Sequence, residues 1–184
     1  MQAELLRAED CRYQAFYCEE NVWWLCQAPA LAALPRFVLF ISNPGRRVGM
    51  WAQRAGREGE PVLWDYHVVL LTAEPWLVWD LDTLLGWPVP AADYLRLSFR
   101  DPAPQLAPCF RTIDAEKLLK TFRSDRAHMR SADGSWKAAP PSWPAPGAKD
   151  QAPNLMRFID FEDRAIGGEV LDLASLGEKL DGPT

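Results

Sequence analysis

The chain has 184 residues, of which 48% are hydrophobic and 24% charged, and its formal net charge is −5. That length suits a single domain spanning residues 1–184, able to bury about 70% of its unfolded surface. The acidic balance argues against nucleic acid as a partner, because phosphates call for clustered Lys and Arg. The opening MQAELLRAED lacks the apolar core of a signal peptide. No apolar run approaches the ~18 residues that a membrane span needs. A cytoplasmic location is therefore expected, extending to the nucleus in a eukaryote, with no membrane partner. Cys11, Cys18, Cys26 and Cys109 are expected as thiols in a reducing compartment. None of them forms a C-x-x-C pair, the chain has only two histidines, and no glycine-rich phosphate loop occurs. Neither metal nor cofactor is expected.

The first informative stretch is FYCEENVWWLC (16–26). Val22, Trp23, Leu25 and Cys26 recur at helical spacing and Pro29 ends the run, which predicts a helix over 18–28. Glu19 and Glu20 suit the positive end of its dipole. Cys18 meets the same dipole, which tends to lower a thiol pKa. It is then either a buried spacer or a nucleophile, whereas Cys26, further along, reads as core.

RFVLFISN (36–43) is a short apolar run between Pro35 and Pro44 and reads as a central strand. RVGMWAQ fits either a strand or a helical turn. PVLWDYHVVLLTAEPWLVWDLDTLL (61–85) contains two β-rich runs around TAEP, which predicts a hairpin with strands near 63–71 and 76–82. If the turn centres between Ala73 and Glu74, His67 faces Asp80 and Asp65 faces Asp82, all on one face. A one-residue slip would undo that pairing. FRTI (110–113) reads as a strand, and Asp114 as the N-cap of a helix over 115–122. Residues 134–153 are proline-rich and read as a surface loop placed to act as a lid. In the tail, Leu155, Phe158, Ile159, Val170, Leu171 and Leu173 are expected to pack back on the core. No heptads or long apolar patches occur, which favours a monomer.

A thiol nucleophile needs a base, a group to orient the base, and donors for an oxyanion. Cys18, His67 and Asp80 would supply sulfur, imidazole and carboxylate, and free amides at the helix start the donors. His128, in RSDRAHM, is the competing base, or else a loop residue bonded to backbone. The Asp65–Asp82 pair would repel unless one side chain pointed to water or a cation lay between them.

The blocks CRYQAFYCEENVWWLC, FISN, VLWDYHVVLL, VWDLDTLL, FRSDRAHM and NLMRF, in this order from about residue 11 to about residue 173, resemble the protein N-terminal glutamine amidohydrolases. The resemblance implies an α+β fold of the papain and transglutaminase group, with a helix bearing Cys packed on an antiparallel sheet bearing His and Asp. It implies Cys18, His67 and Asp80 as catalytic residues. The reaction implied is conversion of an N-terminal Gln of a protein or peptide to Glu with release of ammonia, through a thioester. Such a product becomes a destabilising N-terminus in eukaryotes. Recognition of a chain terminus requires a group for the α-ammonium, and Glu20, Asp65 and Asp82 are the candidates. Phe16 stands where the family often has Cys, and GWPVP and PPSWPAP depart from family patterns in segments expected near the pocket rim. Two other readings share these residues: a thiol hydrolase or transglutaminase-like enzyme acting on internal groups, and a non-catalytic module that binds basic protein termini.

Overall fold

A computed structural model of the chain describes residues 6–181. The first helix, α1, spans Cys18–Leu25. Strand β1 (Arg36–Ser42) follows, then β2 (Val48–Met50), β3 (Val62–Trp64), β4 (His67–Thr72), β5 (Leu77–Trp79) and β6 (Val89–Pro90). Helix α2 (Ala91–Ser98) leads to β7 (Cys109–Asp114) and α3 (Ala115–Thr121). The tail forms α4 (Leu155–Phe158), β8 (Glu169–Asp172) and α5 (Leu173–Asp181). The main sheet has six strands in the order β6-β5-β4-β1-β7-β8, and β2 pairs with β3 apart from it. All of these pairings are antiparallel.

Alternation along the two central strands builds a core on each face of the sheet. Val38 and Phe40 of β1, with Val68 and Leu70 of β4, pack against α1, α3 and α4 through Val22, Leu25, Leu118 and Phe158. Leu39, Ile41, Val69 and Leu71 point the other way, against Tyr94 and Leu95 of α2 and Leu176 and Leu180 of α5. These strands are covered on both faces, so they read as continuous apolar runs rather than as alternating ones.

Helix α1 is shorter than the expected 18–28, and a separate 3-10 turn follows at Pro29–Leu31. RVGMWAQ resolves as β2. The expected strand over 63–71 splits in two: β3 joins the small sheet, and the chain turns through Asp65 and Tyr66 before β4 enters the large one. The hairpin register also differs. Leu70 pairs with Trp79 and Thr72 with Leu77, so four residues, Ala73–Trp76, make the connection. Pro75 lacks the N–H that a tighter turn would place in the ladder. The displacement is two residues, so side-chain parity survives and His67 still shares a face with Asp80. Asp65 and Asp82, however, are not an opposed pair: β5 stops at Trp79 before reaching them.

Asp114 caps α3, accepting from the Lys117 amide at 2.9 Å. The tail returns to the core as expected, with Leu155, Phe158 and Ile159 buried and β8 paired to β7. Arg111 is fully buried, and its guanidinium donates to the carbonyls of Phe158, Asp160, Asp163 and Gly167, which fixes the irregular stretch between α4 and β8. Among the described residues no helix is long and apolar enough to cross a membrane.

Candidate active site

Cys18 is the first residue of α1 and only 7% exposed. Among the described residues, the amides of Cys18 and Glu19 have no backbone acceptor, as expected of a first helical turn. The Cys18 sulfur lies 3.8 Å from Glu19 Oε2. Burial pushes the thiol pKa well up, and the Glu19 and Asp82 carboxylates add to this, while a hydrogen bond from the Val68 amide pulls the other way. The lowered pKa expected from the helix terminus is therefore overturned. A dipole end carries only about half a charge, and desolvation beside two carboxylates outweighs it. With its pKa raised, the Cys18 thiol would call for a base if it is to act as a nucleophile.

The candidate base, His67, lines a cavity together with Cys18. His67, the first residue of β4, is fully buried. Its Nε2 is 2.9 Å from Asp80 Oδ1, and its Nδ1 is buried with no hydrogen-bond partner. Burial pushes the imidazole pKa down, but the charge of Asp80, the hydrogen bond to it and the Asp82 and Glu19 charges together push harder, and the net shift is upward. Asp80 shows the converse: burial raises its pKa, and His67 with the surrounding donors brings it below the ordinary value. Asp80 sits just past the end of β5. The Asp82 amide donates to its Oδ1 at 2.9 Å, while Tyr94 Oη at 2.8 Å and Gln53 Nε2 at 3.3 Å donate to Oδ2. Trp64 stacks on the His67 ring, centroids 5.5 Å apart, and donates to Gln53, so the imidazole plane is held from the side as well.

Cys18, His67, Asp65 and Asp82 line a cavity of about 250 Å³ together with Phe16, Trp64, Tyr66, His128, Met129, Lys137 and Ala138. The sequence thus brings together four of its six proposed site residues here, with Asp80 behind His67. A second cluster flanks the sulfur. Tyr66 Oη donates to Glu19 Oε2 at 3.0 Å and meets His128 Nε2 at 3.0 Å, and His128 Nε2 is 3.4 Å from Glu19 Oε1. His128 is therefore a wall residue bonded to side chains, and not a loop residue bonded to backbone. Tyr66, Glu19, Tyr94, Gln53 and Tyr13 escaped the sequence reading. The first two adjoin His67 and Cys18 in the chain, and that adjacency was the available signal.

Residues 13–180 match the family model described as N-terminal glutamine amidase. The chain belongs to the N-terminal glutamine amidase family. Similar curated proteins include protein N-terminal glutamine amidohydrolases from Danio rerio (37% identical, covering 89% of this chain and 86% of that protein) and Homo sapiens (37%, 92% and 88%). That of Drosophila melanogaster is 41% identical over 75% of this chain and 73% of its own. An amidase is a hydrolase of amide bonds, so the pocket belongs to an enzyme family whose chemistry begins at an amide carbon.

The third acidic candidate lies apart from the pocket. Glu20 is fully buried, and its carboxylate receives Arg126 Nε at 2.6 Å, Arg126 Nη2 at 2.8 Å and Trp143 Nε1 at 3.0 Å. These contacts strap the proline-rich loop onto α1. Arg126 also donates to the carbonyls of Pro141 and Trp143, and Tyr17 Oη donates to Ala138 O. Gly147, at φ +85, lets the loop press on the Phe122 carbonyl where a Cβ would collide. The loop carries Lys137 and Ala138 to the pocket rim. Removing one partner from a buried ion pair costs about 3–5 kcal/mol. Arg126→Ala is therefore expected to lower unfolding free energy by about that amount in urea titrations, and adding Glu20→Gln to recover part of it.

His67, Asp80 and Asp82 each offer an atom within 4.8 Å of the others, a spacing that would admit a cation. The donors argue otherwise. Asp80 already accepts two hydrogen bonds on each oxygen, and His67 Nε2 is committed to it. The cluster is built as a hydrogen-bonded brace for the imidazole.

Proposed function

We propose that this protein hydrolyses the side-chain amide of an N-terminal glutamine, yielding glutamate and ammonia, with Cys18, His67 and Asp80 as a catalytic triad. The observation that carries this reading is the buried His67 ring: one nitrogen is tied to Asp80, and the other is unpartnered in a cavity that Cys18 also lines. The arrangement of a Cys-bearing helix on an antiparallel sheet bearing His and Asp supports placing the fold with the papain and transglutaminase group.

Neutral His67 keeps its proton on Nε2, hydrogen-bonded to Asp80, which leaves the Nδ1 lone pair free. Nδ1 takes the proton of Cys18, and the sulfur attacks the Cδ carbon of the substrate. The carbonyl oxygen becomes an oxyanion beside the first-turn amides of α1, a type of contact worth about 3–4 kcal/mol per donor. As the intermediate collapses, the C–N bond breaks and the imidazolium protonates the departing nitrogen, which leaves as ammonia. A γ-glutamyl thioester remains on Cys18. His67 then takes a proton from water, hydroxide adds to the thioester, the C–S bond breaks, and the imidazolium returns its proton to sulfur. Phe16, 49% exposed and edge-on to Trp64, forms an apolar wall suited to the methylenes of the glutamine side chain.

Ammonia release from four peptides tests the reading: N-terminal Gln, N-terminal Asn, internal Gln, and acetylated N-terminal Gln. The first is expected to exceed each of the others by at least about 100-fold, since a misplaced amide carbon loses most of its positioning advantage. Comparable turnover of the internal or acetylated peptide would favour a transglutaminase-like hydrolase. Tight binding without ammonia would favour a module that only recognises termini.

A further inference from the structure

The proposed reaction needs more than the triad, because an internal glutamine carries the same amide. What distinguishes the substrate is its α-ammonium, only four bonds from the carbon that sulfur attacks. Its partner must therefore lie in the same cavity as Cys18. Glu20 is excluded by its lock on Arg126, and Glu19, buried against Tyr66 and His128, is not among the residues that line the cavity. Two carboxylates remain on the wall, Asp65 and Asp82.

They differ in what their charge can do. Asp65 is exposed and accepts the Tyr66 amide. An ion pair formed there is screened by water and worth little. Asp82 is 4% exposed, and Tyr13 Oη donates to its Oδ1 at 2.6 Å. Among the described residues its second oxygen accepts nothing, and the side chain lines the cavity within 4.8 Å of His67 and Asp80 atoms. A carboxylate that is desolvated, clamped on one oxygen and open on the other is prepared for a cationic donor. We propose that Asp82, held in place by Tyr13, receives the α-ammonium of the substrate and so confines the reaction to chain termini. This rests on the reaction proposed above. Asp82 lies two residues after Asp80 and its own amide donates to Asp80, so one turn fixes the charge that orients the base and the charge that receives the substrate.

The test compares a Gln-ended peptide with its des-amino counterpart, in which a glutaramoyl group replaces Gln. Asp82→Asn keeps an acceptor for Tyr13 and removes the charge. It is expected to cut kcat/KM for the Gln peptide by about 30-fold or more and that for the des-amino peptide by less than about threefold. Asp65→Asn is expected to leave the preference between the two peptides in place. Equal losses on both peptides with Asp82→Asn, or loss of the preference with Asp65→Asn alone, would overturn the assignment. Calorimetric Kd values for both peptides, measured on a Cys18→Ala background, separate recognition from chemistry. Weaker binding of only the Gln peptide on adding Asp82→Asn supports the assignment even if the wild type releases no ammonia, an outcome that would remove the reaction alone. Ammonia release by the wild type with no such difference removes the recognition alone.

Discussion

Cys18→Ala is expected to reduce kcat for ammonia release from a Gln-ended peptide by about 10⁴–10⁶-fold, the range seen when the nucleophile of an acyl-transfer enzyme is removed. The substitution deletes one sulfur and leaves the cavity, the His67–Asp80 bond and the acidic wall in place. The peptide should therefore still bind, with Kd changed by less than about threefold. Cys18→Ser is a sharper probe. A hydroxyl holds its proton more tightly than a thiol, and the Cys18 thiol is already held high by burial and by Glu19 and Asp82. The serine variant is expected to fall with the alanine variant, because an imidazole that can take a proton from a thiol is too weak a base for a hydroxyl held tighter still. Retention of more than a tenth of wild-type kcat by the alanine variant would mean that water, not sulfur, attacks the amide.

The second large effect is expected from Asp80→Asn. An amide in place of that carboxylate no longer fixes the Nε2–H tautomer, and loss of the corresponding Asp in a serine protease costs about 10⁴ in kcat. A loss of about 10³–10⁴ is expected here. Two measurements separate this from simple misfolding. The first is denaturation: Asn keeps one acceptor for the His67, Asp82, Tyr94 and Gln53 donors, so stability should drop while the cooperative transition persists. The second is pH. His67 must be neutral to take a proton, and its folded pKa lies above its ordinary value of 6.5 because the downward push of burial is outweighed by Asp80 acting with the Asp82 and Glu19 charges. Activity of the wild type should therefore rise with pH through an inflection above 6.5 and fall away in acid. Without the Asp80 charge only the smaller pulls of Asp82 and Glu19 oppose burial, and the inflection of the residual activity should move below the wild-type position. An unmoved acid limb in Asp80→Asn would show that His67 is not the titrating base.

The residues that declared themselves in the sequence did so through local chemistry. The start of α1, the apolar run of β1 and the Asp114 cap each depend on neighbours within a turn or a strand. Even with the hairpin register wrong by two, the common face of His67 and Asp80 was legible, because strand parity is insensitive to an even slip. What escaped was set by distant contacts. Helix α2 carries Tyr94 to Asp80, and nothing near Tyr94 announces that partner. Glu20 looks like a charge free for substrate until the chain returns 106 residues later with Arg126. The same return places His128 beside Tyr66 and Glu19. The direction of the Cys18 shift was misread for a related reason: the dipole is a property of the helix alone, while the desolvation and the Asp82 charge that override it belong to the folded whole. The resemblance over residues 11–173 carried the proposed trio of Cys18, His67 and Asp80 with it, and the matched region of the family extends over 13–180.

In the proposed reaction the side-chain carbonyl of the substrate passes through a thioester on Cys18 before water takes it. Hydroxylamine competes with water for such an ester without requiring it to accumulate. A Gln-ended peptide turned over with increasing hydroxylamine is expected to yield γ-glutamyl hydroxamate at the expense of glutamate. Ammonia release would be at least as fast as in its absence, and none of this would occur with Cys18→Ala. Glutamate as the sole product at every hydroxylamine concentration, with ammonia release undiminished, would contradict it.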